Sequence, residues 1–137
     1  MVLPRFIEAA KAGKPLRVFG NGSQRRCFCY VADAVEALVR LQNCPAARGE
    51  IFNVGSTEEI SIRGLAEMVI SIVGAKSPIE IVPYDKAYGA GFEDMQRRKP
   101  DLEKLRKVTG FSPETPLRGT ILRLVTETKK ASRSGTP

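Results

Sequence analysis

A chain of 137 residues carrying 22 lysines and arginines against 15 aspartates and glutamates has a formal charge of +7. That length suits one domain able to bury roughly two thirds of its unfolded surface, and the charge favours an anionic partner: nucleic acid, an acidic lipid surface or a phosphorylated small molecule. Three cysteines and no histidine leave no disulfide framework, no four-ligand zinc site and no Ser-His or Cys-His nucleophile.

The first turn signals appear early. Leu3, Phe6, Ile7 and Ala10 recur at helical spacing after Pro4, and Gly13 stops the pattern, so residues 3–12 are predicted to form a helix. No apolar run of about 18 residues long enough to span a bilayer occurs. The N-terminus lacks the layout of a secretion signal, so the sequence reads as cytoplasmic.

Leu16–Asp33 is the stretch around which the rest is organised. A strand over Leu16–Phe19 is expected, then a turn at Gly20-Asn21-Gly22, the basic pair Arg25-Arg26, and a second strand over Cys27–Val31. Glycines let a backbone approach a ligand closely, and a guanidinium fork matches phosphate oxygens. The turn is either a plain strand connection or a phosphate-contacting one. It does not match a dinucleotide fingerprint, because Arg25 stands where the third glycine belongs and a strand follows where a helix should. Cys27 and Cys29 alternate, so both are expected to face one side as small apolar residues.

Asp33 and Glu36 read as a capping box for a helix over Ala34–Gln42, with Ala34, Val35, Leu38 and Leu41 inward. A strand is expected over Glu50–Val54, ending at Gly55. Ser61 opens the strongest helical pattern, Ile62 to Val73, with Gly74 as its stop. Another strand is expected over Ile79–Val82. Pro83–Pro100 reads as a long irregular loop, of the kind that is functional or disordered. Asp101 is expected to cap a two-turn helix, and Thr115-Pro116 to open the last one. Residues 131–137 read as a disordered tail. There is no internal repeat and no interdomain linker.

For chemistry, the carboxylate pairs Glu58-Glu59 and Glu93-Asp94 fall in expected loops, where neighbours need not converge. Tyr84 and Tyr88 have no lysine four residues on, so no Tyr-Lys proton-transfer pair is present. Arg26 and Arg98 each follow a turn-forming segment and precede an element start. If their loops converge, they would clamp a diphosphate; otherwise they are two surface arginines. No groove-reading motif supports a nucleic-acid-binding module.

At these residues the chain is similar to the C-terminal half of the extended short-chain dehydrogenases, the NAD-dependent nucleotide-sugar epimerase/dehydratase family, which includes UDP-glucuronate decarboxylases. The resemblance rests on Leu3-Pro4-Arg5-Phe6, Leu16-Arg17-Val18-Phe19-Gly20, Arg26 before Cys27-Phe28-Cys29-Tyr30-Val31, Phe52-Asn53-Val54-Gly55, and Arg97-Arg98-Lys99-Pro100-Asp101. It implies an α/β fold: Rossmann-like sheet elements with a small substrate-binding lobe, in one domain over residues 1–130. It also implies that Arg26 and Arg98 grip a UDP- or dTDP-sugar diphosphate, and that Leu16, Val18 and Phe19 offer backbone groups to the base. Asn53 would be structural, and Asp33 a helix cap. The family's Gly-rich NAD turn and Tyr-x-x-x-Lys pair match no residues here. NAD is therefore expected only with a further half, and these residues alone should bind a nucleotide sugar weakly without turning it over. The helix at Ala34–Gln42 and the strand at 51–54 would then lack a sheet to cover them, inviting a homodimer or a partner chain.

Overall fold

A computed structural model describes residues 1–89 and 91–131, with side chains through residue 127. Its core is assembled by three helices closing on a short parallel sheet. Helix α1 (Val2–Lys11) buries Leu3, Phe6, Ile7 and Ala10, one stripe at helical spacing, against helix α3 (Ile62–Val73). Ser61 Oγ accepts from the Gly64 amide at 3.0 Å to cap α3, and Gly74 ends it in the left-handed conformation. Strands β1 (Leu16–Phe19) and β4 (Ile79–Val82) run parallel, Leu16 opposite Ile79 and Phe19 opposite Val82. Helix α6 (Leu117–Ala131) completes this core with Leu117, Ile121 and Val125. Each large apolar side chain so buried contributes about 1.5–3 kcal/mol before entropy is counted.

A second, three-stranded sheet sits beside the core. Strand β2 (Arg25–Cys27) lies between β3 (Glu59–Ser61), antiparallel to it, and β5 (Arg97–Arg98), parallel to it. Strand β2 is shorter than expected. The chain leaves the ladder after Cys27, and helix α2 (Val31–Gln42) already begins two residues before Asp33. Asp33 and Glu36 make no capping box. The Asp33 carboxylate instead accepts from the Thr115 amide and hydroxyl, both at 3.0 Å, holding the turn that leads into α6, while Glu36 pairs with Arg40.

Two further expectations are corrected. Glu50–Val54 forms no strand, because no neighbouring strand among the described residues offers it a ladder. Phe52 and Val54 turn instead onto a small cluster of Ala37, Leu105 and Phe111. Of the α2 residues expected inward, Leu41 is half-buried, but Val35 and Leu38 are exposed; Ala37 is the buried one. Helix α2 thus shows solvent an apolar stripe of Val31, Val35, Leu38 and Val39, as anticipated for elements lacking a covering sheet.

Pro83–Pro100 is less irregular than its composition suggests, since it contains helix α4 (Tyr84–Tyr88) and β5. Asp101 Oδ1 accepts from the Glu103 amide at the head of helix α5 (Glu103–Thr109), at 2.9 Å. In the expected tail, Ala131 closes α6, and residues 132–137 lie outside the described residues. No described helix is long and apolar enough to cross a membrane.

Candidate functional site

The turn after β1 is shaped by its own side chains. Asn21 Oδ1 accepts from the Ser23 amide at 2.9 Å and its hydroxyl at 2.7 Å, and Gln24 Nε2 donates to the Phe19 carbonyl at 2.9 Å. Gly20 is required twice over. Its φ of +72° suits glycine, and a Cβ there would crowd the Tyr84 ring. The turn therefore closes against Tyr84.

Beyond the turn, alternation along β2 sorts its arginines to opposite sides of the sheet. On one side, Arg25 and Arg97 face each other in register, and Glu59 binds Arg97 through two 2.7 Å hydrogen bonds. Lys99 and Arg25 stand 3.7 and 4.0 Å from the same carboxylate. The Arg97 hydrogen bond, with these cations behind it, holds the Glu59 pKa down at about 2. Glu58 and Glu59 do not share a loop: Glu59 lies in β3 and locks this sheet, and Glu58 accepts from the Leu117 amide at 2.7 Å to cap α6.

On the other side Arg26 stands directly opposite Arg98, and both line a concavity of about 440 Å³. Arg98 makes no ion pair or side-chain hydrogen bond among the described residues. Arg26 is held firmly. Its Nη1 donates to the carbonyls of Arg25 (2.8 Å) and Met95 (2.7 Å), and its Nη2 to Asp94 Oδ1 (2.7 Å). Tyr84 donates its hydroxyl to the other Asp94 oxygen at 3.1 Å. Burial, reinforced by that hydrogen bond, raises the Tyr84 pKa, so the phenol keeps its proton.

An aromatic wall completes the concavity. Tyr88 stacks on Phe92 with ring centroids 4.4 Å apart and meets Phe19 edge-on at 5.5 Å, while Tyr84 lies 5.3 Å from Phe92. From β1 the cavity is reached by Arg17 and Phe19. Leu16 and Val18 are fully buried, and the Leu16 amide donates to Pro78 in the pairing with β4. Any main-chain contact from this strand to a ligand therefore falls to Arg17 and Phe19, whose polar groups alternate away from β4. Gln24 sits buried at the cavity wall with its Oε1 unpartnered. A larger hollow of about 670 Å³ lies across the sheet, lined by Thr57, Arg97, Lys99, Asp101 and Arg106, but its Arg97 is committed to Glu59 and it has no aromatic wall.

Asp94, Tyr84 and Gln24 were not singled out from the sequence as site residues. A half-buried arginine needs a counter-charge, but nothing local in the sequence marks Asp94 as the partner of Arg26, 68 residues earlier. The cysteines take no part in such chemistry. All three are free thiols, and burial raises the pKa of Cys27 and Cys29, helped by Glu59 and Asp33 respectively. No group of metal-binding side chains occurs among the described residues.

Residues 1–55 match the model of the NAD dependent epimerase/dehydratase family. Over 112 residues, or 82% of this chain, the sequence is 45% identical to a UDP-N-acetyl-alpha-D-glucosaminuronate decarboxylase of Bacillus cytotoxicus. The chain belongs to the NAD-dependent epimerase/dehydratase family. This family member is also 37% identical over 116 residues to UDP-glucuronic acid decarboxylase 1 of Danio rerio, covering 85% of its own length. It spans only 35% of the first relative and 26% of the second. Its fold matches the UDP-glucuronic acid 4-epimerase of Bacillus cereus, solved with UDP-glucuronic acid and NAD, with a TM-score of 0.84 at 23% identity. That superposition takes in 96% of this chain and 40% of the other. The family's description names NAD, and the Gly20-x-Gly22 turn does not fit that cofactor. The Gly20-x-Gly22 turn leads into strand β2, so no helix N-terminus stands behind it to receive a pyrophosphate.

Proposed function

We propose that these residues form the nucleotide-sugar-binding portion of an NAD-dependent epimerase, dehydratase or decarboxylase, with a UDP- or dTDP-sugar as ligand. The observation that carries this reading is the register of β2 and β5, which sets Arg26 and Arg98 side by side at one concavity. Two guanidinium groups there suit the two phosphates of a diphosphate bridge, and the adjoining aromatic wall suits a flat base. The relatives' substrates, UDP-linked uronic acids by name, are of this class. Hydride transfer is not assigned to any residue here, since NAD does not fit these elements and no Tyr-x-x-x-Lys pair is present. The setting is cytoplasmic in this reading.

Two charge-assisted contacts contribute about 3–6 kcal/mol, which corresponds to roughly millimolar to tens-of-micromolar affinity. Titration calorimetry on the purified chain should register UDP binding in that range, and Arg26→Ala should abolish it. A folded chain giving no heat at millimolar UDP removes the reading. A second reading, a self-associating binding module without catalysis, is favoured by the apolar stripe on α2. Sizing the chain with and without UDP-sugar separates the two: a concentration-dependent dimer supports self-association, and a monomer counts against it.

A further inference from the structure

We infer that Asp94 is a positioning residue, which fixes the Arg26 guanidinium so that its two remaining N–H groups are offered as a pair to a phosphate. This rests on the nucleotide-sugar reading above. An arginine has five N–H donors in a rigid plane. In Arg26 both Nη1 donors are spent on main-chain carbonyls, those of Arg25 and Met95, and one Nη2 donor goes to Asp94. The Nε donor and one Nη2 donor are left, and Nε and Nη2 are the two nitrogens of a side-on fork that can meet two oxygens of one phosphate.

The carboxylate is itself held from the other side. Its second oxygen takes the Tyr84 hydroxyl, and the Tyr84 ring is lodged against Gly20, where no Cβ would fit. The chain of contacts Gly20–Tyr84–Asp94–Arg26 therefore runs from the turn after β1 to the guanidinium. The Arg26 side chain is only 11% exposed, so most of its surface is given to these partners and their neighbours. The Met95 carbonyl adds to the clamp from the residue next to Asp94, so one segment fixes the arginine by charge and by main chain together. With Asp94 offsetting Arg26, the net positive charge facing the cavity from this pair of strands is that of Arg98. The role of Arg26 is then directional hydrogen bonding, and orientation is what it cannot lose.

The test compares Asp94→Ala, Asp94→Asn and Tyr84→Phe in the full chain, reading UDP affinity together with nitrogen-detected NMR of the arginine side chains. Asp94→Asn keeps an acceptor for Nη2 without the charge. Removing the acceptor in Asp94→Ala should weaken UDP binding about tenfold and free guanidinium rotation, whereas Asp94→Asn should stay within about twofold with rotation still hindered. Tyr84→Phe, which keeps the ring, should fall between them and serves if Asp94→Ala fails to fold. Tighter UDP binding by Asp94→Ala would mean that the carboxylate competes with phosphate, and an equal loss in Asp94→Asn would mean that charge matters and not orientation. Either result overturns the inference, as does unaltered Arg26 rotation in Asp94→Ala. A wild-type chain that ignores UDP fails the nucleotide-sugar reading instead. Inorganic pyrophosphate then carries the same comparison, and no response to it at millimolar concentration overturns the inference too.

Discussion

The two sides of this molecule are built to different standards of self-sufficiency. Around α3, every element brings an apolar face that another element covers: α1 supplies Phe6 and Ile7, β1 supplies Leu16 and Val18, α6 supplies Leu117 and Ile121. Around α2 the covering is thin. Ala37, Leu105 and Phe111 form a small cluster, while Val31 is 68% and Leu38 58% exposed, and Ile51 beyond the helix is 87% exposed. The concavity lined by Arg26 and Arg98 belongs to the first side and to the small sheet beside it. One flank of the molecule is thus closely covered while the other leaves apolar side chains exposed.

The contrast breaks most plainly by emptying the well-built side. Leu65 is fully buried on the first turn of α3, so Leu65→Ala should lower unfolding free energy by about 2–5 kcal/mol in urea titrations. Leu38→Ser, on the exposed stripe, should change it by no more than about 0.5 kcal/mol while reducing any self-association seen by sizing. Equal costs at the two positions would erase the distinction. Next in size is the turn. Gly20→Ala should cost about 1–3 kcal/mol, from its positive φ and the clash with Tyr84, and should weaken UDP binding as well. A stability loss with binding intact would separate the turn from the site.

The small sheet gives the last test, through pH. Glu59 has its pKa lowered in the folded chain from 4.5 to about 2 by Arg97. A lowered carboxylate pKa means that the unfolded chain takes up the proton first, so the contribution is complete above about pH 4.5 and disappears as pH falls towards 2. Glu59→Gln should therefore flatten the acid limb of the stability profile over that window and leave neutral-pH cavity contacts alone. An unchanged acid limb would detach the sheet from this ion pair.

How far the sequence disclosed these features depends on the range of the forces involved. Helix α3 was legible because its signals are local: a serine whose hydroxyl reaches three residues on, an apolar stripe, a terminal glycine. The strands β1 and β4 were legible as quartets of three apolar residues and one charged residue, bounded by Gly or Pro. Glu50–Val54 misled because its composition suits a strand, yet a strand exists only against a neighbour. Asp33 misled in a similar way; it sits where a cap would, but its acceptor sites are taken by Thr115, 82 residues further along. Arg26 and Arg98 could be named from their turns, and their adjacency rests on the β2–β5 register. Asp94 escaped because a carboxylate between Glu93 and Met95 has no local mark that it will meet an arginine 68 residues earlier.

Arg98 joins the cavity only through β5, a strand just two residues long whose rungs are Arg97 to Arg25 and Arg98 to Arg26. Occupancy of the cavity and closure of that short ladder are consequently one equilibrium viewed from two ends. In the proposed reading, whatever stabilises the rungs favours anion binding, and a bound anion shifts the fraying equilibrium of the rungs by the same factor.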